Sequence, residues 1–584
     1  MLIKLLFKHL KWQDYIAYLI IICFIVLQVW LELTMPDYTS KLAKLITTAQ
    51  AGGTITYSDV WENGGMMLLC ALGSMVLAIL NGFIISRFSA RISKSIRTSI
   101  FNKVSSFSEF EMNKFSTPSL ITRTTNDVVQ IQNFLSMGIQ LFFKAPITAI
   151  WAICKISNTK IEWTLATVIA VIIMIILVTI IVLFSTSKFK KIQKLTDELN
   201  DKTRENVSGV RVIRAFDADK YQKEKFEVTN NNVYKNNLAV SISTGFMMPV
   251  MTLIMSGLTL SIYWIGAYLI DKETDITTKV DLIGDMTAFT SYSMQVVMAF
   301  MMLVMIFIMA PRTIVSGARI QEVLDTNPSI KDGKGEKGNE NGTVEFKNVS
   351  FSYSGDDKYN ISDVSFKVES GKTIAIIGPT GSGKTTLINL LTRQFDPQNG
   401  EILVDGVNIK DYKIGELNEK ISVAHQKAMM LKGDVLSNIS YGDETPDMEK
   451  VDKAVKVSKS DFIFEKEGLN TKVSQGGTNF SGGQKQRLSI ARCLYKDSEI
   501  MVFDDTFSAL DFKTDMLVRK GIKEEYRNKT VFIIAQRIGT IKNADQIIVL
   551  DDGKISAIGT HEELIKTSDL YKEIALSQLD KEEL

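Results

Sequence analysis

A glycine-rich segment in the second half of the chain has the composition of a phosphate-binding loop. Residues 378–385 read GPTGSGKT, which matches the pattern GxxxxGK[ST], and they lie between an apolar run and a helical pattern at Thr386–Thr392. Glycines let backbone N–H groups turn towards phosphate oxygens, and a helix N-terminus favours negative charge. We therefore expect ATP with Mg²⁺ here. The residues expected to bind them are Gly378, Thr380, Gly381, Ser382, Gly383, Lys384, Thr385 and Thr386.

A carboxylate at the end of an apolar run supplies a second part of this site. Residues 500–503 read IMVF, and Asp504 follows them. In proteins with such phosphate loops, an aspartate at the end of a neighbouring strand ligates Mg²⁺. We therefore expect Thr385 and Asp504 to ligate one Mg²⁺ ion, while Lys384 contacts the β- and γ-phosphates.

A second segment has the features of another phosphate-binding turn. Residues 479–487 read NFSGGQKQR, and Ser481, Gly482, Gly483 and Gln484 stand where a helix would begin. Backbone N–H groups at such a helix start suit a γ-phosphate. The segment resembles the signature motif of the ATP-binding cassette (ABC) family, which is usually LSGGQ, with Phe480 in the first place.

The resemblance to this family implies roles for further residues. Tyr353 stands where an aromatic side chain stacks on adenine, and Gln426 stands where a glutamine meets Mg²⁺ and the membrane domain. Residues 508–511 read SALD and resemble the D-loop. In this family two ATPase domains pack head to tail, and each ATP lies between one chain's phosphate loop and the other chain's signature. The resemblance therefore implies that Ser481–Gln484 and Asp511 act on ATP held by a second chain.

Two residues depart from the family pattern at positions that carry hydrolysis. Asp505 stands where competent members have the glutamate that polarises water, and a carboxylate misplaced by ~1 Å can cost about a hundredfold in rate. Gln536 stands where the family has a switch histidine, and an amide carries no titrating charge. The pair resembles the degenerate site of bacterial heterodimeric multidrug-type exporters. We expect a non-identical partner half-transporter with the glutamate and the histidine; a homodimer with two slow sites is the alternative.

Six apolar runs occupy the first half of the chain, and each is about as long as a helix that crosses a bilayer. Basic residues concentrate after the second run, at 87–103, and after the fourth, at 188–202, which predicts that these loops and both termini are cytoplasmic. Amphipathic periodicity in both loops predicts helices that continue into the cytoplasm. The runs are Tyr15–Leu33, Met66–Ser86, Phe134–Ile156, Trp163–Phe184, Val240–Ile270 and Met286–Ala310.

The composition changes after the sixth run. Residues 326–343 are rich in Gly, Asn and Lys, which is typical of a linker, and the strands and helices that follow alternate as in an α/β domain with a parallel core. We predict a membrane α-helical domain with six transmembrane helices at 1–325, a linker at 326–343 and an α/β P-loop ATPase domain at 344–584. The whole resembles an ABC exporter half-transporter. The net charge of +2 argues against nucleic acid as a partner.

The sequence says least about the cargo. Methionines crowd the fifth and sixth runs, which suits a cavity for varied amphipathic molecules, although ordinary packing is the simpler explanation. Lys144, Lys155 and Asp285 are interpreted as interfacial residues, with a place in a cavity as the alternative. The hypothesis is ATP-driven export of amphipathic small molecules across a bacterial plasma membrane. A dedicated peptide or lipid exporter, and a regulatory or channel-like subunit without transport, are the alternatives.

Overall fold

The computed structural model describes residues 2–50, 56–157, 159–336, 338, 341–353 and 359–578. Contacts divide the chain into two units. The first comprises Met1–Ser105 and Pro118–Thr326, and the second comprises Ser106–Thr117 and Asn327–Leu584. The boundaries at 325 and 343 stay a prediction, but the short segment Ser106–Thr117 groups with the second unit, which the sequence did not indicate.

The first half of the chain is built of long apolar helices. Within the described residues, six helical stretches are long and apolar enough to cross a membrane, and each contains one of the six predicted runs. They have 39 to 54 residues, whereas about 20 suffice for a hydrocarbon core, so each is longer than a bilayer requires, as the predicted extensions need. The stretches are Trp12–Gln50, Tyr57–Ser105, Thr117–Ser157, Ile161–Ser208, Asp219–Lys272 and Ile276–Asp325.

These stretches comprise single helices and helices joined end to end. A π-helical turn at Phe134–Gly138 interrupts the third stretch. The helices are α1 (Leu2–His9), α2 (Trp12–Gln50), α3 (Tyr57–Ser105), α4 (Glu109–Phe115), α5 (Thr117–Thr124), α6 (Asn126–Asn133), α7 (Ile139–Ser157), α8 (Ile161–Ser208), α9 (Val210–Ala215), α10 (Asp219–Gly245), α11 (Met247–Lys272) and α12 (Ile276–Asp325).

The second unit is built around a six-stranded sheet whose order is β12-β11-β3-β10-β9-β6. All of its neighbours pair in parallel except β11 and β12, which confirms the predicted parallel core. A four-stranded antiparallel sheet, β2-β1-β4-β5, was not predicted. The strands are β1 (Val344–Phe351), β2 (Ile361–Val368), β3 (Thr373–Ile377), β4 (Asn399–Val404), β5 (Val407–Asn408), β6 (Ile421–Ala424), β7 (Gly433–Asp434), β8 (Lys472–Val473), β9 (Ile500–Asp504), β10 (Thr530–Ile534), β11 (Gln546–Asp551) and β12 (Lys554–Gly559).

Both faces of the parallel sheet are buried. Along β3, Ile374 and Ile376 join one apolar cluster, while Ala375 and Ile377 join another, because successive side chains point to opposite faces. Parallel strands buried in this way end together at one edge, which is where ligands bind in such sheets. The helices of this unit are α13 (Lys384–Leu391), α14 (Ile414–Lys420), α15 (Val435–Ile439), α16 (Met448–Val457), α17 (Gly482–Lys496), α18 (Phe512–Glu525), α19 (Ile538–Ile541), α20 (His561–Thr567) and α21 (Asp569–Leu576).

Candidate functional site

The phosphate loop connects the end of β3 to α13, which begins at Lys384, two residues earlier than predicted. Gly383 precedes the helix with a φ of 100°, and a Cβ there would lie 2.5 Å from Cδ1 of Ile361, so the turn requires glycine. Lys384 is buried, and its Nζ donates to the carbonyl oxygens of Gly378 at 2.9 Å and Pro379 at 2.8 Å. The ammonium group is therefore held by the loop itself, beside the helix start where a phosphate would bind.

The electrostatics of the loop favour an anionic ligand. Burial lowers the pKa of Lys384, and the negative charges of Asp505 and Asp504 oppose this shift. A phosphate oxygen is a stronger acceptor for a desolvated ammonium group than the neutral carbonyl oxygens that it contacts in this structure. Ligand binding would therefore restore favourable interactions that burial removes.

Asp504 ends strand β9 beside the loop, where its side chain is only 3% exposed. Burial raises the pKa of Asp504 to about 6, and the neighbouring charge of Asp505 adds to the shift. The hydroxyl of Thr385 bonds to Asp504 and, with Lys384, acts in the opposite direction. A divalent cation on Asp504 and Thr385 would supply the positive charge that this buried carboxylate lacks. Thr385 and Asp504, two of the three residues predicted as Mg²⁺ ligands, thus lie together, and their oxygen donors fit that ion.

Three polar side chains meet where neighbouring strands end. Gln426, Asp505 and Gln536 follow β6, β9 and β10, which are adjacent in the sheet. The Oδ2 atom of Asp505 accepts hydrogen bonds from Nε2 of Gln426 at 3.0 Å and from Nε2 of Gln536 at 3.1 Å. We call these three residues the amide clamp.

The backbone of the clamp is fixed as well. Asp505 has a φ of 48°, its N–H donates to the carbonyl oxygen of Ile534 at 2.9 Å, and its own carbonyl accepts the hydroxyl of Ser508 at 2.8 Å. A carboxylate oxygen has about two lone-pair sites, so two amide donors occupy Oδ2 fully. Oδ1 is the oxygen left for a further partner.

A cavity of about 340 Å³ joins the loop, Asp504 and the amide clamp. Ten of the residues around it were predicted from the sequence: Thr380, Gly381, Gly383, Lys384, Thr385, Thr386, Gln426, Asp504, Asp505 and Gln536. Two were missed, Asn360 and Ile534. Ile534 could have been found as the last residue of the strand before Gln536. Asn360 precedes β2 and carries no motif, so no sequence signal marks it.

Tyr353, the predicted adenine-stacking residue, lies beside helix α13. Its ring packs edge-on against Phe351 and Phe395, with centroids 4.9 and 5.1 Å away. Its hydroxyl donates to the hydroxyl of Thr386 at 3.4 Å, and the residue stays 44% exposed. The ring is therefore anchored near the phosphate loop and remains partly open, as stacking on a base would require.

The signature residues form a separate helix start. Ser481 precedes α17, where its hydroxyl accepts from the N–H of Gln484 at 3.3 Å and its N–H donates to the Gln484 side chain at 2.9 Å. Asp511 begins α18 in the same manner, because its carboxylate accepts from the N–H of Thr514 at 3.0 Å. The described residues Ser481–Gln484 and Asp511 lie outside the cavity around Lys384. One chain therefore presents two phosphate-binding turns that do not meet.

Comparisons with known proteins agree with this geometry. Residues 18–323, more than half of the chain, match the family description "ABC transporter transmembrane region", and residues 361–508 match "ABC transporter". An uncharacterized ABC transporter ATP-binding protein of Mycobacterium tuberculosis is 34% identical over 520 residues, which cover 88% of this chain and 87% of that protein.

Two further similarities extend over almost the full length. The multidrug resistance-like ATP-binding protein MdlA of Buchnera aphidicola is 30% identical, over 97% of each chain. A solved structure of a bacterial Atm1-family ABC exporter with ATP bound has a TM-score of 0.81 at 23% identity, covering 98% of this chain and all of that one, which shows a shared fold. Six membrane helices fused to a P-loop domain with a signature helix therefore have one explanation: the chain belongs to the ABC transporter family, as a half-transporter of the exporter type.

Proposed function

We propose that this chain is one subunit of a heterodimeric exporter of amphipathic small molecules, and that its own phosphate loop forms the slower of two ATP sites. The observation that carries the proposal is the amide clamp. Asp505 replaces the longer glutamate and has one oxygen occupied by Gln426 and Gln536, at 3.0 and 3.1 Å. A shorter and occupied carboxylate is poorly placed to polarise water, while the phosphate loop and Ser481–Gln484 of the signature keep the family pattern.

The residues that would hold Mg²⁺ support ATP binding at this slow site. Thr385 and Asp504 lie together, and Gln426 is the third proposed ligand, although its amide nitrogen contacts Asp505 in this structure. A bound Mg²⁺ would neutralise charge on the phosphates. The side-chain carbonyl oxygen of Gln426 would be the metal ligand, which is a different atom from the amide nitrogen that contacts Asp505. Lys384 and the loop N–H groups would position the phosphates.

The ATPase activity of defined pairs tests this proposal. The chain purified alone should hydrolyse ATP about a hundredfold more slowly than the chain combined with a half-transporter that has the glutamate and the histidine. In the pair, Lys384→Ala in this chain should leave most of the activity. Replacing the equivalent lysine of the partner should abolish it and serves as the matched control. Full activity from two identical copies of this chain would contradict the heterodimer.

The cargo and the membrane placement are part of the same proposal. The Buchnera relative is named multidrug resistance-like, and the Met-rich helices suit varied apolar shapes, which supports amphipathic cargo. We place the pair in the plasma membrane, and the basic loops support an orientation with both termini and the ATPase domain in the cytoplasm. The pair in inverted vesicles should accumulate ethidium when ATP is added. Ion conductance without dye uptake would favour a channel, and ATPase stimulation by lipids or peptides alone would favour a dedicated exporter.

A further inference from the structure

A lysine on α2 is enclosed by two carboxylates at the start of α12. The Nζ atom of Lys44 lies 2.9 Å from Oδ1 of Asp281 and 3.0 Å from Oδ1 of Asp285. A Cβ on Gly284 would lie 2.4 Å from Cγ of Lys44 and 2.9 Å from Oγ of Ser40. Gly284 therefore leaves the space in which the lysine stem crosses α12 between its two partners.

Three more polar contacts follow along α2. Asp37 pairs with Lys155 of α7 at 2.7 Å and accepts a hydrogen bond from the hydroxyl of Tyr292 of α12. Glu32 pairs with Lys144 of α7 at 2.9 Å. The contacts of α2 with α12 run in antiparallel order, because residue 44 meets 281 and 285 while residue 37 meets 292. All three charged residues interpreted as interfacial, Lys144, Lys155 and Asp285, thus have partners on α2.

The other end of α2 is joined differently. There Asp14, which is 1% exposed, forms an ion pair with Arg91 of α3. Leu31 also faces α3, where a Cβ on Gly73 would lie 3.0 Å from its Cδ1 atom. Between residues 32 and 44, the ion pairs of the described residues of α2 run to α7 and α12. Hydrogen bonds of Glu32 with Ser74 and of Thr39 with Met67 keep α2 in contact with α3 along this part too, so the ion pairs, and not all contacts, change partner along α2.

Glu32, Lys144 and Lys155 lie within the predicted apolar runs, where charged side chains are costly, so their pairing between the same helices points to a function. The pairs of Lys44 with Asp281 and Asp285 lie outside those runs and are partly exposed, and such pairs are individually weak, which suits a contact that must break repeatedly. We propose that Lys44, Asp281, Asp285, Asp37, Lys155, Tyr292, Glu32 and Lys144 form a latch, and that it closes the end of the membrane domain from which cargo leaves. This inference rests on the proposed export function, because export requires that end to open when ATP binds.

Thiol labelling tests the latch without any cargo. Ser40 is 8% exposed and lies beside Lys44. A cysteine introduced by Ser40→Cys should therefore react slowly with a membrane-impermeant maleimide. The experiment uses full-length pairs in which Cys23, Cys70, Cys154 and Cys493 are replaced by Ser. Adding Lys44→Met should raise the labelling rate about five- to tenfold, because two weak pairs are lost together. Lys41→Met is the matched control, since Lys41 lies over Tyr38 of its own helix and should leave the rate unchanged. Equal rates in all three proteins would overturn the latch.

Two disulfides test whether the latch opens during transport. Ser40→Cys with Gly284→Cys links α2 to α12 when oxidised, and should abolish ATP-dependent ethidium uptake until a reductant is added. Leu31→Cys with Gly73→Cys places a pair of thiols between α2 and α3, and should leave uptake intact when oxidised. Uptake by the oxidised α2–α12 variant would contradict the latch. If no protein takes up ethidium, the proposed cargo fails, whereas trapping with ATP and vanadate should still increase Ser40→Cys labelling if the latch exists.

Discussion

Two parts of the second unit differ in how much of the family pattern they keep. They are the signature side, Ser481–Gln484, and the hydrolytic side, which consists of Gln426, Asp505 and Gln536. The signature keeps a complete capping arrangement, in which Ser481 and Gln484 exchange two hydrogen bonds at the start of α17. The hydrolytic side has Asp505 at the expected strand end, but this side chain is shorter than a glutamate. One of its oxygens also accepts hydrogen bonds from the amides of Gln426 and Gln536. Binding residues and hydrolytic residues can therefore change separately within one domain. In the proposed heterodimer, this chain would complete the partner's site while its own site turns over slowly.

The largest expected effect comes from damage to the signature side. A Cβ added at Gly482 would lie in open space, so Gly482→Asp should fold normally, and it would place a negative charge where the γ-phosphate is proposed to lie in the two-chain complex. Loss of favourable electrostatics at a reacting group costs on the order of a hundred- to a thousandfold, and we expect that loss in the ATPase rate of the two-chain complex. Gly482→Ala is the uncharged control and should retain most of the rate. Equal activity of both variants would show that this turn does not face a phosphate.

Repair of the hydrolytic side should give the next largest effect, in the opposite direction. Asp505→Glu with Gln536→His restores the reach of the carboxylate and removes one amide donor from it. In a complex whose partner lacks its own catalytic glutamate, we expect the remaining ATPase rate to rise by up to about a hundredfold. Asp505→Glu alone should gain less, because Gln536 would still be present. If the double variant stays as slow as the parent, the amide clamp is not what limits this site.

The buried carboxylate beside the clamp predicts a pH-dependent stability. In the folded chain the pKa of Asp504 is raised from 3.8 to about 6, so the folded state holds this proton more tightly than the unfolded state does. Stability is therefore lost as the pH rises from about 4 through 6, and the loss is complete above pH 6. A shift of this size corresponds to a loss of about 3 kcal/mol in the free energy of unfolding.

Thermal unfolding of the solubilised chain in EDTA measures this effect. Asp504→Asn should stabilise the protein at pH 8, and the gain should shrink at pH 5, where the native carboxyl is largely protonated. Asp551→Asn is the control, because Asp551 is an exposed carboxylate at the end of β11 in the same sheet and should have little effect at either pH. A gain from Asp504→Asn that is equal at both pH values would argue against the raised pKa.

The features that could be predicted from the sequence are those that depend on a fixed spacing or a minimum length of residues. The phosphate loop needs its glycines and lysine at set positions, and a bilayer demands helices of a minimum length, so both could be recognised in one chain. The amide clamp could not, because Gln426, Asp505 and Gln536 are distant in sequence and meet only through the strand order β10-β9-β6. Asn360 was missed for the same reason. It precedes β2 of the antiparallel sheet, which no motif indicates, and it lines the cavity only in the folded chain.

The smallest predicted effect concerns nucleotide affinity rather than turnover. Tyr353 is held by Phe351 and Phe395 and is 44% exposed, so its removal should leave the fold intact while a stacking surface is lost. An aromatic pair contributes about 0.5–1.5 kcal/mol beyond its buried area, so Tyr353→Ala should weaken ATP binding to this chain by up to about tenfold. Tyr353→Trp keeps a larger ring and should bind about as well as the parent. The affinity is measured by titration of a fluorescent ATP analogue. Replacing the partner's own loop lysine ensures that only the site of this chain is measured. An unchanged affinity in Tyr353→Ala would mean that the base binds elsewhere.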